Sequence, residues 1–321
     1  DMCTAIHYNS FFGRNLDLET SYNERVVITP RNYSLKFKNV PDITSHYAMI
    51  GMGIVVDDYP LYYDAVNEKG LSVAGLNFPD NAHYMPPILN KTNIAPFELI
   101  PYILGKCSTI NEVKSVLLKL NIVKINFNSD YPLSPLHWMF ADKKSSIVVE
   151  PLKDGVNIYE NPIGVLTNNP PFSYHLTNLI NYMGISSKQP ENLFSDKITL
   201  SPYSRGMGGI GIPGDLSSAS RFIKAAFTLL NSPRFKDENE EISQFFHILT
   251  SVEQQKGCVH VMNKYEFTLY SSCCDMDKAI YYYTTYNNRS ISSVHLFNEN
   301  LETTHLITYP LCDKLQINSI N

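Results

Sequence analysis

"MCTAIHYNSFFGRNLDL", residues 2–18, decides the fold. Two runs rich in β-branched and aromatic residues, "CTAIHYN" and "FFGRNLD", meet around Asn9-Ser10 and read as paired strands. A cysteine stands third, and an arginine and an aspartate follow at positions 14 and 17. A near-terminal cysteine has two readings. One is a small buried hydrophobe in an N-terminal strand, where most free cysteines go. The other is a nucleophile whose own α-amine, with a reference pKa of about 7.7–8.0, accepts the thiol proton. That catalyst requires Cys3 to become the first residue of the chain. It also needs a cation beside the thiolate, a carboxylate to orient the amine, and an oxyanion hole.

Working outward, more strand signals follow: "RVVITPRN", "YAMIGMGIVVDD", "YPLYYDAVN" and "KGLSVAGLNF", with turns at Asp57-Asp58 and Glu68-Lys69-Gly70. With the first two runs they read as one antiparallel meander. Helical periodicity appears in "APFELIPYILGKC" and "TINEVKSVLLKLN", where Thr109 and Glu112 have capping-box spacing. "LHWMFAD", "SSIVVEPL" and "VNIYE" resume strands, and helices are expected over 174–184, 218–231 and 240–252. A last strand block holds "FTLYSSCCD", "AIYYYTTYNN" and "ISSVHLFN", and a short strand is expected near "HLITYPL". Strands, then helices, then strands without βαβ alternation make this an α+β fold with antiparallel sheets. No linker or repeat divides the 321 residues, so one domain over 1–321 is expected.

Composition narrows the function. Apolar residues make 44% and charged residues 18%, enough material for a core. A net charge of −5 gives no basic surface for nucleic acid. No stretch reaches the roughly 18 apolar residues of a membrane span. With no signal-peptide pattern at the start, a cytoplasmic location is expected unless a leader was removed. The six cysteines show no metal spacing, and reduced thiols are expected. Nine scattered histidines without HExxH point to no metal. "RGMGGIGIPGD" contains GxGxxG at Gly206, Gly208 and Gly211, but Pro213 and Gly214 follow instead of a helix. It reads as a glycine-rich surface loop.

"MCTAI", "FFGRNLD", "ITPRNY", "NEKGLSVAGLNFP", "LHWMFAD", "SIVVE", "GVLTNNP", "GIPGDLSSASRF" and "YYYTTYNN" together resemble the choloylglycine hydrolase family. Within it they are most similar to the conjugated bile acid hydrolases of Gram-positive gut bacteria. The resemblance runs in order from Met2 to the C-terminus. It implies a four-layer αββα sandwich, the fold of the N-terminal nucleophile hydrolases, and no cofactor. It implies Cys3 as nucleophile, Arg14 as support for the thiolate, and Asp17 as the group that fixes the α-amine. Cys3 and the Arg14/Asp17 pair can meet across a hairpin if the second strand bulges. Asn77, by its backbone N–H, and Asn168, by its side-chain amide, correspond to the oxyanion hole. Asn169 is adjacent and the motif register favours Asn168. Arg221 would support the network from a helix start.

The implied reaction is hydrolysis of the amide joining a steroid acid to glycine or taurine, with conjugated bile acids as small-molecule partners and a homotetramer as assembly. Leu16 and Val56 match positions that line the family's pocket, and "NSDYPLSPLHW" is expected to form a mobile pocket loop. The related penicillin V acylases usually carry Tyr where this chain has Asn77. A penicillin V acylase or another N-acyl amide hydrolase is therefore the alternative, and an inactive bile-acid-binding protein a remoter one. Asp1-Met2 precedes the cysteine and must be removed for the α-amine to act. The eleven residues from Cys3 to Arg14 are several fewer than relatives show, which implies a shortened turn at Asn9-Ser10 or missing residues.

Overall fold

The opening hairpin pairs strands β1 (Met2–Tyr8) and β2 (Phe11–Leu18), with Met2 opposite Asp17 and Cys3 opposite Leu16. The structure is a computed structural model that describes residues 2–321, so Asp1 lies outside the described residues. The turn is the short one expected: Asn9 takes a left-handed φ of 53°, which asparagine tolerates better than most residues.

The chain continues through β3 (Arg25–Thr29), β4 (Met49–Val56), β5 (Tyr59–Asn67), β6 (Ser72–Asn77) and β7 (Thr92–Ile94). Helices α1 (Leu99–Lys106) and α2 (Ile110–Leu117) follow, then β8 (Leu120–Ile122), β9 (Leu136–Ala141), β10 (Ser146–Leu152), β11 (Gly155–Glu160) and β12 (Val165–Leu166). The last part holds α3 (Phe172–Asn178), α4 (Ser218–Leu230), α5 (Glu238–Thr250), β13 (Val259–Val261), β14 (Lys264–Asp275), β15 (Ile280–Thr285), β16 (Ser292–His295) and β17 (Ile307–Pro310). Thr109 caps α2 by accepting the Glu112 N–H, but Glu112 turns its carboxylate to Ser108 and does not close the box.

Two antiparallel sheets result. One runs β12-β1-β2-β14-β15-β16, with β13 paired to β14; the other runs β11-β10-β9-β6-β5-β4-β3-β17. The single meander expected for the first strands is therefore corrected: it breaks after β2. Nearly every residue of β1 and β2 is buried, so both faces and both edges of the hairpin need cover. β14, from the far end of the chain, covers the β2 edge, and β3 starts the second sheet instead. Gly13 permits this closeness. A Cβ there would sit 1.9 Å from the Ser272 carbonyl oxygen, closer than any side chain can approach.

The apolar faces of the two sheets meet through residues such as Ile6, Leu16, Ile50, Met52, Met139 and Val148. Helices α4 and α5 add Phe222, Ala225, Phe245 and Leu249 to that core beside β1 and β14. Helices α1 and α2 close the other face of the second sheet, where Ile103, Val113, Trp138 and Phe140 pack together. The order helix, sheet, sheet, helix gives the four-layer α+β sandwich. The glycine-rich stretch around Gly208 is an irregular, largely exposed loop as expected.

Candidate active site

Cys3 is buried between the sheets. Burial pushes its thiol above the ordinary cysteine value; the Arg14 charge, a backbone hydrogen bond with Asp17 and the Arg221 charge pull the other way without prevailing. A thiol held protonated in this way needs a proton acceptor before it can attack. Arg14, fully buried on β2, donates from Nη1 to the carbonyl oxygens of Tyr63, at 3.2 Å, and of Gly75. Its Nη2 is a buried donor with no hydrogen-bond partner among the described residues.

Register explains why Gly75 and Asn77 present their backbones here. Phe78 N–H donates to Pro135 at the end of the β6–β9 ladder, so the Asn77–Leu136 pair next to it is a non-hydrogen-bonded one. Gly75 and Asn77 therefore turn their N–H and C=O groups toward β5, whose pairing with β6 ends at Ala74. Arg14 takes the Gly75 carbonyl there, and Asn168 Nδ2 donates to the Asn77 carbonyl at 2.7 Å.

Asn168 is the hub. Its Oδ1 accepts the Cys3 N–H at 2.7 Å and Arg221 Nη2 at 2.8 Å, two donors that fix which way the amide faces. Its own N–H donates to Ser218 Oγ at 2.9 Å. Arg221, in the first turn of α4, also donates from Nη1 to the Cys3 carbonyl at 2.5 Å and Thr4 Oγ1 at 2.7 Å, and from Nε to the Leu216 carbonyl at 3.0 Å. The adjacent Asn169 points elsewhere and donates to the Pro79 carbonyl.

Asp17 is buried opposite Met2. Oδ1 accepts from Thr268 Oγ1 at 2.6 Å, and Oδ2 has no hydrogen-bond partner among the described residues. Burial raises its carboxyl to about 7 against the lowering effects of Arg221 and Thr268. The Met2 N–H donates to Glu266 Oε1 at 2.8 Å. Glu266 and Thr268 are residues that sequence reasoning missed. Their signal was a buried charge and a hydroxyl two positions apart in β14, hence on one strand face.

A cavity of about 360 Å³ opens onto Cys3, Arg14 and Asn77. Leu16, Leu18, Ile54, Leu61, Phe97 and Phe127 give it an apolar wall, and residues 130–136 supply one rim, as the reading of "NSDYPLSPLHW" as a pocket loop required. Leu16 is among the lining residues; of β4 it is Ile54, and not Val56, that the lining includes. Among the described residues no cluster of side chains is suited to hold a metal ion.

The linear amide C–N hydrolases of the choloylglycine hydrolase family match residues 3–309 of this chain. The chain belongs to that family. It is 58% identical to the bile salt hydrolase/transferase of Lactiplantibacillus plantarum over 324 residues, which cover all of both chains. It is 39% identical to the conjugated bile acid hydrolase of Lactobacillus gasseri over 316 residues, 96% of this chain and all of that one. Among solved structures, a mutant conjugated bile acid hydrolase from Clostridium perfringens superposes with a TM-score of 0.92 at 38% identity, covering 99% of this chain and 100% of that one. Penicillin V acylase from Agrobacterium tumefaciens shares the fold at a TM-score of 0.75 and 19% identity, covering 97% and 91%. The sandwich is thus the N-terminal nucleophile hydrolase fold that the motifs implied.

Proposed function

We propose that this family member is a cysteine amidase that cleaves the C–N bond between a bile acid and its glycine or taurine. The observation that carries the reading is the position of Cys3, Arg14 and Asn77 at one end of a cavity whose walls are mostly aliphatic and aromatic. A rigid sterol suits such walls, and its side-chain amide then lies at the sulfur.

The mechanism requires Cys3 to carry a free α-amine. The amine takes the thiol proton, and the sulfur attacks the amide carbonyl. The developing oxyanion is met by the Asn77 N–H and the remaining Asn168 Nδ2 hydrogen. The ammonium then returns its proton to the leaving nitrogen, which releases glycine or taurine and leaves a thioester. The amine next activates water, which releases the bile acid and restores the thiol. Asp17 Oδ2, with Arg221 and Asn168 Oδ1, supports the amine. Arg14 supports the thiolate against the cost of burial.

Glycocholate, taurocholate and phenoxymethylpenicillin compared on one preparation with a confirmed Cys3 terminus test the reading. Faster turnover of either bile acid conjugate is the expected result, and preference for the penicillin, or no turnover at all, overturns it. Two further parts belong to the same reading. The two sheets share one core, which supports a single folding unit. Met183, Leu193, Phe194, Tyr203 and Ile210 stand exposed along one irregular stretch, which supports burial between subunits of a homotetramer; a cytoplasmic location belongs to the same reading.

A further inference from the structure

Behind the proposed oxyanion hole lies a pair that the mechanism above does not use. His137 on β9 and Glu150 on β10 are both completely buried. The β9–β10 register, with Trp138 opposite Val149, makes them the next facing pair of that hairpin. His137 Nδ1 lies 3.1 Å from Glu150 Oε1, and Nε2 lies 2.9 Å from the Thr167 carbonyl oxygen. A carbonyl has no hydrogen to give, so Nε2 carries one. Glu150 Oε1 also accepts the Phe172 N–H at 3.0 Å. The ring thus bridges a carboxyl group and a peptide carbonyl.

What the ring touches gives it a role. Phe78, which follows Asn77, stacks on it with centroids 4.2 Å apart and planes 6° from parallel. Thr167 directly precedes Asn168. One ring therefore contacts both segments that carry the proposed oxyanion donors. A second histidine extends the grip. His175, kept neutral because burial lowers its pKa, pairs through Nε2 with the Asn168 carbonyl at 3.0 Å, and its other near charges are His137 and Glu150. Two successive carbonyls, of Thr167 and Asn168, are thus each held by a buried imidazole.

We infer that His137, anchored by Glu150, is a positioning residue that fixes the Thr167–Asn168 segment against the Asn77 strand and so sets the geometry of oxyanion binding. The inference rests on the amidase reading for its kinetic consequence but not for its structural one. A group that acts this way affects the transition state more than the bound substrate.

The experiment compares His137→Phe, which keeps the stacked ring, His137→Gln, which keeps one donor, and Glu150→Gln, each checked for folding by thermal unfolding. On glycocholate, kcat of His137→Phe falls about 10–100-fold with KM within about threefold, and His137→Gln retains more of kcat; direct oxyanion donors set the upper bound of about 10²–10³. Unchanged kcat in folded His137→Phe overturns the inference, as does a KM rise at constant kcat. Nitrogen-15 NMR on the resting protein needs no turnover and so separates this inference from the amidase reading. Nε2 of His137, which faces the Thr167 carbonyl, is expected to carry a proton in the parent chain. The Asn168 side-chain amide, sharp and exchange-protected there, broadens or loses protection in His137→Phe. An unprotonated Nε2, or an Asn168 amide indifferent to His137→Phe, overturns it, and if His137→Phe fails to fold the same amide reading on Glu150→Gln decides, with a broadened or less protected Asn168 amide as the expected result.

Discussion

The backbone nitrogen of Cys3 donates to Oδ1 of Asn168 at 2.7 Å, a bond between residues 165 positions apart that closes β1 onto the segment after β12. The same oxygen accepts from Arg221, so one amide joins the candidate nucleophile, a buried cation and, through its nitrogen, the Asn77 carbonyl. Replacing Asn168 by Ala removes all three links. We expect kcat to drop about 10²–10³-fold, the scale of a lost oxyanion donor. Steady-state kinetics against Asn169→Ala checks this: the neighbouring amide bonds to Pro79 and its loss should cost far less.

Arg221 is almost fully buried and donates to four acceptors: Leu216, Cys3 and Thr4 on one side and Asn168 on the other, with no carboxylate bridged directly among the bonds described. Shortening it in Arg221→Gln leaves several of those oxygens without a donor. Each unsatisfied buried group costs about 1–3 kcal/mol. Urea unfolding should show a midpoint shift of at least that size, beyond any loss of activity.

Asp17 supplies a pH dependence with a definite sign. Burial raises its carboxyl to about 7 in the chain that retains Met2, against about 3.9 unfolded. A raised folded value means the native state holds the proton more tightly. Its stabilising effect is complete below about pH 4 and is lost as pH rises through about 7. Urea titrations between pH 4 and 8 should show stability falling across that window, with the slope reduced in Asp17→Asn. Exposing the α-ammonium of Cys3 adds a cation on the strand paired with Asp17 and should lower the carboxyl value and flatten the same slope.

Gly13 tests the packing of the central sheet. A methyl group there would meet the Ser272 carbonyl at 1.9 Å and the Cys273 Cα at 2.9 Å, both backbone atoms that cannot swing aside. Gly13→Ala should destabilise the fold by about 3 kcal/mol or more, the upper range of overpacking. Thermal unfolding measures it, and an unchanged midpoint would show that β14 yields more easily than the register implies.

The hairpin was legible because period-two alternation and a two-residue turn are local signals. The helices were legible for the same reason, and 218–231 differs from α4 by one residue. The break between β2 and β3 was not legible: nothing in "RVVIT" says which edge it joins, and only the approach of β14 decides it. Cys3, Arg14, Asp17, Asn77, Asn168 and Arg221 came from motif resemblance, and the structure brings their backbones and side chains into one connected neighbourhood. His137, Glu150 and Glu266 were missed because their significance lies in cross-strand register and burial, which a scattered histidine or acid does not reveal along the chain.

The central claim is that the Cys3 α-amine is the base. Intact-mass measurement paired with glycocholate turnover, on chains ending at Cys3 and on chains retaining Met2, tests it most directly. The account requires turnover from the first and none measurable from the second, where the nitrogen is an amide bonded to Asn168 with no basic lone pair. Equal turnover by chains proven to retain Met2 would contradict it.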